Sequence, residues 1–294
     1  HRVVPQRDPL FPAEVTRADF DAICGWLRAW CNVLALDQAV QALAQGTLPT
    51  RAVALTFDDG YADNHDHALP VLQRHGLTAT FFVASGFLNG GRMWNDSVIE
   101  AVRHAPATEL DLRDTEAQSL GVLPLADHLQ RRAAIERILA ATKYLPQPAR
   151  DNWVAAVMSK ADVQLPNDLM MRGAQVRALH QAGMTIGAHT VSHPILLGLP
   201  RPQVRSEIAD NRAALEALVD HPVCLFAYPN GRRGVDYDDD TVAVVRDLGF
   251  SCAVSTNWAA ARPGADPLQL PRYTPLERSA ARFGMRMAHT LATT

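Results

Sequence analysis

Ala52-Val53-Ala54-Leu55-Thr56-Phe57-Asp58-Asp59-Gly60-Tyr61 is the stretch on which the reading of this chain turns. A strand-like apolar run ends on two adjacent carboxylates, and a glycine then turns the chain. Two negative charges at the end of a buried strand are unfavourable unless something cationic joins them. A matching partner comes about 130 residues later: His189-Thr190-Val191-Ser192-His193, just past the strand-like Met184-Thr185-Ile186-Gly187.

Taken singly, neither motif decides anything. Asp-Asp-Gly is a common turn. Two histidines four apart also describe a solvated helix face or hydrogen-bonded core residues. Together, one carboxylate and two imidazoles form a site with open positions, suited to a divalent transition metal that keeps a water. The second carboxylate is then free to accept a proton from that water. This is machinery for attack on a carbonyl.

The flanking sequence alternates strands with helices. Phe20, Ile23, Leu27 and Trp30 recur at helical spacing, as do Leu36, Ala39, Val40 and Leu43 before a stop at Gly46. Asn64 to His75 reads as helical, with Pro70 marking a kink or break. Thr78 to Val83 is rich in β-branched and aromatic residues and reads as a strand. Further on, Val204, Ile208, Leu215 and Leu218 share one helix face, strands follow at Val223 to Ala227 and Phe250 to Val254, and a helix falls near Val242 to Leu248.

Repeated strand–helix units imply a mainly parallel sheet, closed or partly closed. Active sites of such folds gather at the C-terminal ends of the strands, where Asp58, Asp59, His189, His193 and Tyr228 all fall. The stretch from about 95 to 182 has a different, mostly helical texture. No Gly/Ser-rich linker bounds it, so the expectation is a single catalytic domain over 1–294 with a helical insertion near 105–170. A small separate helical subdomain is the alternative.

Composition narrows the function. The chain has 294 residues, 48% of them hydrophobic, enough for a large core. A net charge of -3, with no basic run longer than a pair such as Arg131-Arg132, argues against nucleic acid as a partner. No apolar stretch approaches the ~18 residues of a membrane span. Cys24, Cys31, Cys224 and Cys252 lack metal-binding spacing and are too few for a disulfide scaffold. This points towards a reducing, cytoplasmic compartment, with an extracytoplasmic one left open because a leader could precede His1.

On these residues the chain resembles the polysaccharide deacetylase family, of the NodB-homology, carbohydrate esterase type. Thr56-Phe57-Asp58-Asp59-Gly60 matches that family's first motif at every position, and His189 to His193 matches its His-[Ser/Thr]-x-x-His second motif. The resemblance runs from about 50 to 275, leaving 105 to 170 uncovered. It implies a distorted (β/α) barrel with helical insertions, Asp59, His189 and His193 as metal ligands, and Asp58 as catalytic base. The implied metal is zinc, with cobalt, nickel or another divalent ion as alternatives.

The implied activity is removal of acetyl groups from an N-acetylated sugar, polysaccharide or sugar precursor. Two alternatives stand beside it. One is an amidohydrolase or esterase on another acylated substrate, and the other a catalytically weak, metal-containing carbohydrate-binding protein.

The third motif departs from the family pattern. Phe226-Ala227-Tyr228-Pro229-Asn230-Gly231 has Ala227 where relatives place the arginine that orients the base, and Asn230 where they place tyrosine. The backbone N–H at that last position helps form the oxyanion hole in relatives, and an N–H does not depend on the side chain, so Asn230 keeps that role. Tyr228 and Pro229 are expected to contact substrate. So are Trp258, after Ser255-Thr256-Asn257, and Arg272, in a Leu270-Pro271-Arg272 segment like that of relatives acting on N-acetylglucosamine polymers. Trp94 is a candidate for stacking on a sugar ring, with ordinary packing as the alternative.

Relatives carry a late Leu-x-His that supplies the general acid; here His289, in a Met-rich helical tail, is the only late histidine. The general acid is therefore unassigned. His1-Arg2-Val3 resembles the end of the first strand in some of these deacetylases, so the chain is expected to begin one strand into the fold.

Overall fold

Five short parallel strands carry the site in the computed structural model, which describes residues 1–275 and 277–293. They are β1 (Thr56–Phe57), β2 (Thr80–Val83), β3 (Thr185–Ala188), β4 (Leu225–Ala227) and β5 (Cys252–Val254), in spatial order β5-β4-β3-β2-β1. Sequential order with every neighbour parallel is what repeated strand–helix units produce. The sheet is a curled parallel half-barrel.

Phe57, Phe81, Phe82, Ile186, Phe226 and Ala253 are all buried, so the strands have apolar contacts on both faces, as parallel strands covered by helices do. The register pairs Phe57 with Phe81, Val83 with Ala188, Ala188 with Phe226, and Ala227 with Val254. It therefore brings the residues that follow each strand to one end of the sheet.

The chain forms two compact units. The first comprises 1–6, 15–89 and 170–294; the second comprises 7–14 and 90–169. In the first unit, Thr16 caps the Arg17–Trp30 helix, its hydroxyl accepting from the Asp19 N–H while the Asp19 carboxylate accepts from the Thr16 N–H. The Leu36–Gln45 helix ends at Gly46, whose φ of 69° is the left-handed stop that the sequence predicts. The predicted break at Pro70 is a wide π turn over Asn64–Ala68 passing into the Leu69–His75 helix. Pro70 there sits in the first turn, where its missing N–H costs nothing.

The Arg201–Val219 helix buries Val204, Ile208, Asn211 and Leu215, a stripe at helical spacing with one polar member. Asp238 caps the Asp239–Asp247 helix by accepting from the Thr241 N–H, as its acidic first turn predicts.

The second unit has its own core, built on Val98, Val102, Leu110, Leu123, Ile135, Ile138 and Val157. Its helices are Trp94–His104, His128–Thr142 and Gln147–Ala161. It also contains a hairpin absent from the sequence reading, with Glu109–Asp111 antiparallel to Val122–Pro124. Three-residue strands are too short to display an alternating pattern. Among the described residues, no helix is long and apolar enough to cross a membrane.

Candidate metal centre

Asp58 and Asp59 leave the end of β1 in different directions because Asp59 takes a positive φ, 79°, followed by Gly60 at 93°. At Gly60 a Cβ would lie 2.9 Å from the Val83 Cγ1 atom, so glycine satisfies both the backbone angle and the close approach to β2. Left-handed backbone recurs at Thr190 (64°), His193 (52°) and Asn230 (58°). Four non-glycine residues in this disfavoured region, all just past strand ends, mark a loop cluster whose shape is imposed by its surroundings.

The first carboxylate, Asp58, is buried and held by Arg272. One guanidinium nitrogen lies 2.7 Å from Oδ1 and the other 2.7 Å from Oδ2, a bidentate pair. Arg272 is fixed in turn, donating through Nε to the Ser255 carbonyl at 2.9 Å and through a terminal nitrogen to the Thr56 hydroxyl at 3.2 Å. Burial alone would push the Asp58 carboxyl up. The charge and hydrogen bonds of Arg272, helped by His189 and His1, reverse this and hold it at about 2.

The second carboxylate, Asp59, faces His189 and His193. Its Oδ1 lies 3.3 Å from Nε2 of His189 and 3.4 Å from Nε2 of His193, and has no hydrogen-bond partner despite being buried. His189 is fully buried, with Nδ1 2.7 Å from the Ala227 carbonyl oxygen. A carbonyl can only accept, so Nδ1 carries a proton, and in the neutral ring this tautomer turns the Nε2 lone pair towards Asp59. Burial, only partly opposed by Asp59, pushes His193 down to about 4, so it is neutral near pH 7.

Lone pairs of two imidazoles and a carboxylate thus converge, with all three donor atoms within 4.8 Å of one another. Four ligands at about 2.0–2.1 Å around a tetrahedral zinc stand roughly 3.3 Å apart. The donor set, the orphaned Oδ1 and the His189 tautomer all fit a divalent cation, and the triad is consistent with a divalent metal site.

The structure also brings in His1, whose Nδ1 is 3.2 Å from Oδ2 of Asp59, the oxygen facing away from the imidazole pair; its side chain is 60% exposed. The charge of Asp59 beside it pushes the His1 ring up to about 9. The neighbouring chain is anchored to the turn after the carboxylates: Arg2 donates to Asp63 at 2.7 Å, and the Asn64 amide donates to the His1 carbonyl at 2.7 Å.

The remaining expected contacts divide. Arg272, expected to touch substrate, grips Asp58 in the structure. It supplies from the far end of the chain the guanidinium that Ala227 cannot. Tyr228 is a core residue: its ring is fully buried, stacked 3.9 Å from Tyr237, and its hydroxyl donates to the Leu268 carbonyl, so the side chain is spent on packing. Pro229 beside it is also buried. Trp94 opens a helix of the second unit and packs with its core, with the Arg150 guanidinium 5.3 Å from its ring centroid.

Trp258 is 48% exposed and meets Tyr273 edge-on at 5.0 Å. It follows Asn257, whose carbonyl accepts from the Arg272 N–H. Asn230 is half-buried, and its carbonyl accepts from the Thr256 hydroxyl at 2.7 Å. His289 lies in the Ala280–Thr293 helix.

Two contributions escaped sequence reasoning, the grip of Arg272 on Asp58 and the place of His1 beside Asp59. Both had a signal. A buried carboxylate whose usual arginine is replaced by Ala227 calls for another cation at a strand end. The His1-Arg2-Val3 segment stood out as resembling a strand end, and the strand observed there is Val3–Val4, with His1 just ahead of it.

Comparison with known proteins agrees with this geometry. The polysaccharide deacetylase family model matches residues 45–109 and 149–253. The chain is 22% identical over 249 residues to YxkH of Bacillus subtilis, a protein named for polysaccharide deacetylase activity. The match covers 84% of this chain and 60% of YxkH, so the chain spans less than two thirds of that relative.

Over 106 residues it is 26% identical to the poly-beta-1,6-N-acetyl-D-glucosamine N-deacetylase of Staphylococcus epidermidis, covering 36% of this chain and 37% of that one. Among solved structures, the fold matches the Streptococcus pyogenes deacetylase PplD in complex with acetate at a TM-score of 0.64 and 19% identity, covering 98% and 95% of the two chains. It matches IcaB from Ammonifex degensii at 0.63 and 20%, covering 98% and 93%. With a half-barrel that ends on an aspartate pair, a histidine pair facing it and a family model spanning both, this chain belongs to the polysaccharide deacetylase family.

Proposed function

We propose that this protein is a metal-dependent hydrolase that removes acetyl groups from an N-acetylated sugar or polysaccharide, releasing acetate and a free amine. The observation that carries the reading is the unequal treatment of the two adjacent carboxylates. Asp58 has a permanent cation in Arg272, while Asp59 faces two imidazole lone pairs.

Asp59, His189 and His193 would hold a divalent cation, with zinc the best match to two imidazoles and one carboxylate. Bound there, such an ion acidifies a water and polarises a carbonyl oxygen. The residues of the chain supply the rest. Asp58, kept ionised and fixed by Arg272, accepts the proton of the attacking water. The N–H of Asn230, at the left-handed turn after β4, helps to hold the developing oxyanion.

His1 returns a proton to the departing nitrogen. Its exposed ring adjoins Asp59 on the oxygen that the other histidines leave free, at the edge of the site where a leaving nitrogen can reach it. Trp258, exposed one residue beyond the carbonyl that accepts from Arg272, offers an apolar face to an acetyl group or sugar ring. That PplD was solved with acetate, and that a matching Staphylococcus protein is named for N-deacetylation of poly-N-acetylglucosamine, supports the acetyl and amine halves of the reading.

The test is acetate release from a panel of N-acetylated glucosamine oligomers and O-acetylated sugars, by protein loaded with zinc, cobalt or nickel. Release from N-acetyl substrates that Asp58→Asn abolishes is the expected result. Unchanged release in Asp58→Asn overturns the mechanism. Stoichiometric metal with no release from any of the panel points to the carbohydrate-binding alternative.

A further inference from the structure

We infer that Glu207 and Asn211, neighbours on one face of the Arg201–Val219 helix, are positioning residues that set the metal affinity of the site by bracing the loop from His189 to His193. The inference rests on the reading of Asp59, His189 and His193 as ligands, and asks what holds two of the three in place.

The loop cannot hold itself. Thr190 and His193 both sit in left-handed backbone, at φ 64° and 52°, which L residues other than glycine enter reluctantly. Its internal ties are two, the His193 N–H donating to the Thr190 hydroxyl at 3.1 Å and that hydroxyl donating to the His189 carbonyl at 2.5 Å. The rest of its main chain is claimed from outside.

Asn211 is fully buried and completely engaged. Its Oδ1 accepts from the His189 N–H at 2.9 Å, while its Nδ2 donates to the Val83 carbonyl at 3.0 Å and the Ser85 hydroxyl at 2.9 Å. One side chain thus ties the end of β3 to the end of β2. Glu207, one helical turn away, takes the middle of the loop. Its Oε2 accepts from the N–H groups of Val191 (3.0 Å) and Ser192 (2.9 Å), and its Oε1 from the Ser192 hydroxyl (2.7 Å).

The loop carbonyls are taken from the opposite side. Ser85 N–H donates to the Thr190 carbonyl at 3.3 Å and Gly86 N–H to the Val191 carbonyl at 2.9 Å. A Cβ at Gly86 would lie 2.6 Å from that carbonyl oxygen, so the second bond needs glycine.

The consequence falls on the ligands unequally. His189 has a second anchor, its ring bond to Ala227. His193 comes at the far end of the loop, three residues past Thr190, and its ring is aimed only as well as the loop is held. Without the Glu207 carboxylate the Val191 N–H keeps the Glu207 main-chain carbonyl at 3.1 Å, but both ties to Ser192 are lost; the loop then gains conformations in which Nε2 of His193 no longer faces Asp59, and metal affinity falls as those conformations become populated. Removing the groups that orient metal ligands typically weakens binding about ten- to a hundredfold.

The experiment titrates zinc, and separately cobalt, into metal-free full-length protein, recording the dissociation constant, the cobalt absorption spectrum and the melting temperature before metal is added. Glu207→Ala is expected to weaken zinc binding by about ten- to a hundredfold and to perturb the cobalt spectrum, while Glu207→Gln, whose amide oxygen still accepts from both N–H groups, stays within roughly threefold of wild type. Glu207→Asp folds with the same charge but falls one methylene short, and is expected to lose affinity as well. It decides the matter if Glu207→Ala does not fold. Wild-type zinc affinity in both shortened variants overturns the positioning role alone. A wild-type protein that binds no divalent cation overturns the ligand reading, and this inference with it.

Discussion

The two adjacent carboxylates at the end of β1 occupy nearly the same depth, yet their surroundings answer opposite needs. Asp58 meets a guanidinium that reaches it from 214 residues away with two bonds of 2.7 Å, so its charge is balanced within the protein. Asp59 meets no arginine or lysine: two imidazoles face one of its oxygens and the exposed ring of His1 the other. A buried charge balanced by the fold is ready to work as a base; a buried charge left with electron donors is a place for a cation to be supplied. The proposed division between base and ligand rests on this difference.

The largest expected effects come from exchanging these roles. Asp58→Asn keeps the shape, keeps the metal site, and removes the proton acceptor. Acetate release should fall by about 10²- to 10⁴-fold, the usual worth of a positioned general base, with metal content unchanged.

Arg272→Ala breaks the other half of the pair. It leaves a buried carboxylate alone, which costs about 3–5 kcal/mol of stability, measurable by denaturant unfolding. The pH dependence has a definite sign. The Asp58 carboxyl is depressed from 3.8 to about 2, so the pair's contribution is complete above the ordinary carboxylate range and lost as pH falls through about 2. Without Arg272 burial dominates, and the Asp58 carboxyl rises above 3.8. Both acid unfolding and the acid limb of kcat/KM should then move to higher pH. An Arg272→Ala protein with the wild-type acid limb would mean that the guanidinium does not tune the base.

His1→Ala is expected to leave metal binding intact and to reduce release from N-acetyl substrates more than from O-acetyl esters, since an alkoxide leaves with less help than an amine. Equal losses on both substrates would remove His1 from the role of acid. The smallest effect belongs to Asn230→Gly. Glycine keeps the N–H and tolerates φ 58°, so activity should stay within about threefold of wild type. A large loss there would show that the Asn230 side chain does the work assigned to its backbone.

The same contrast explains what could be read from the sequence. The Asp59 side is carried by residues immediately after strands, within two short motifs whose strand context has strong periodicity, so its members were legible together. The parallel sheet and the stop at Gly46 were legible for the same reason: local pattern and local chemistry agree. The Asp58 side depends on Arg272, which follows a stretch from 255 to 270 joined to the sheet by one bridge, Val254 with Leu270. No periodicity announces such a segment, and only three-dimensional proximity turns an arginine there into the partner of Asp58.

Tyr228 shows the opposite case. Its position after β4 was read correctly, but a strand-end residue can turn inward, and stacking on Tyr237 with a hydroxyl bond to Leu268 holds it there. The short hairpin of the second unit left no pattern long enough to recognise.

The measurement that bears most directly on the division of labour is zinc stoichiometry by calorimetric titration of metal-free wild type, Asp58→Asn and Asp59→Ala, side by side. One equivalent bound by wild type and by Asp58→Asn, with none bound tightly by Asp59→Ala, is the predicted result. One equivalent retained at wild-type affinity by Asp59→Ala, or lost by Asp58→Asn, would contradict it.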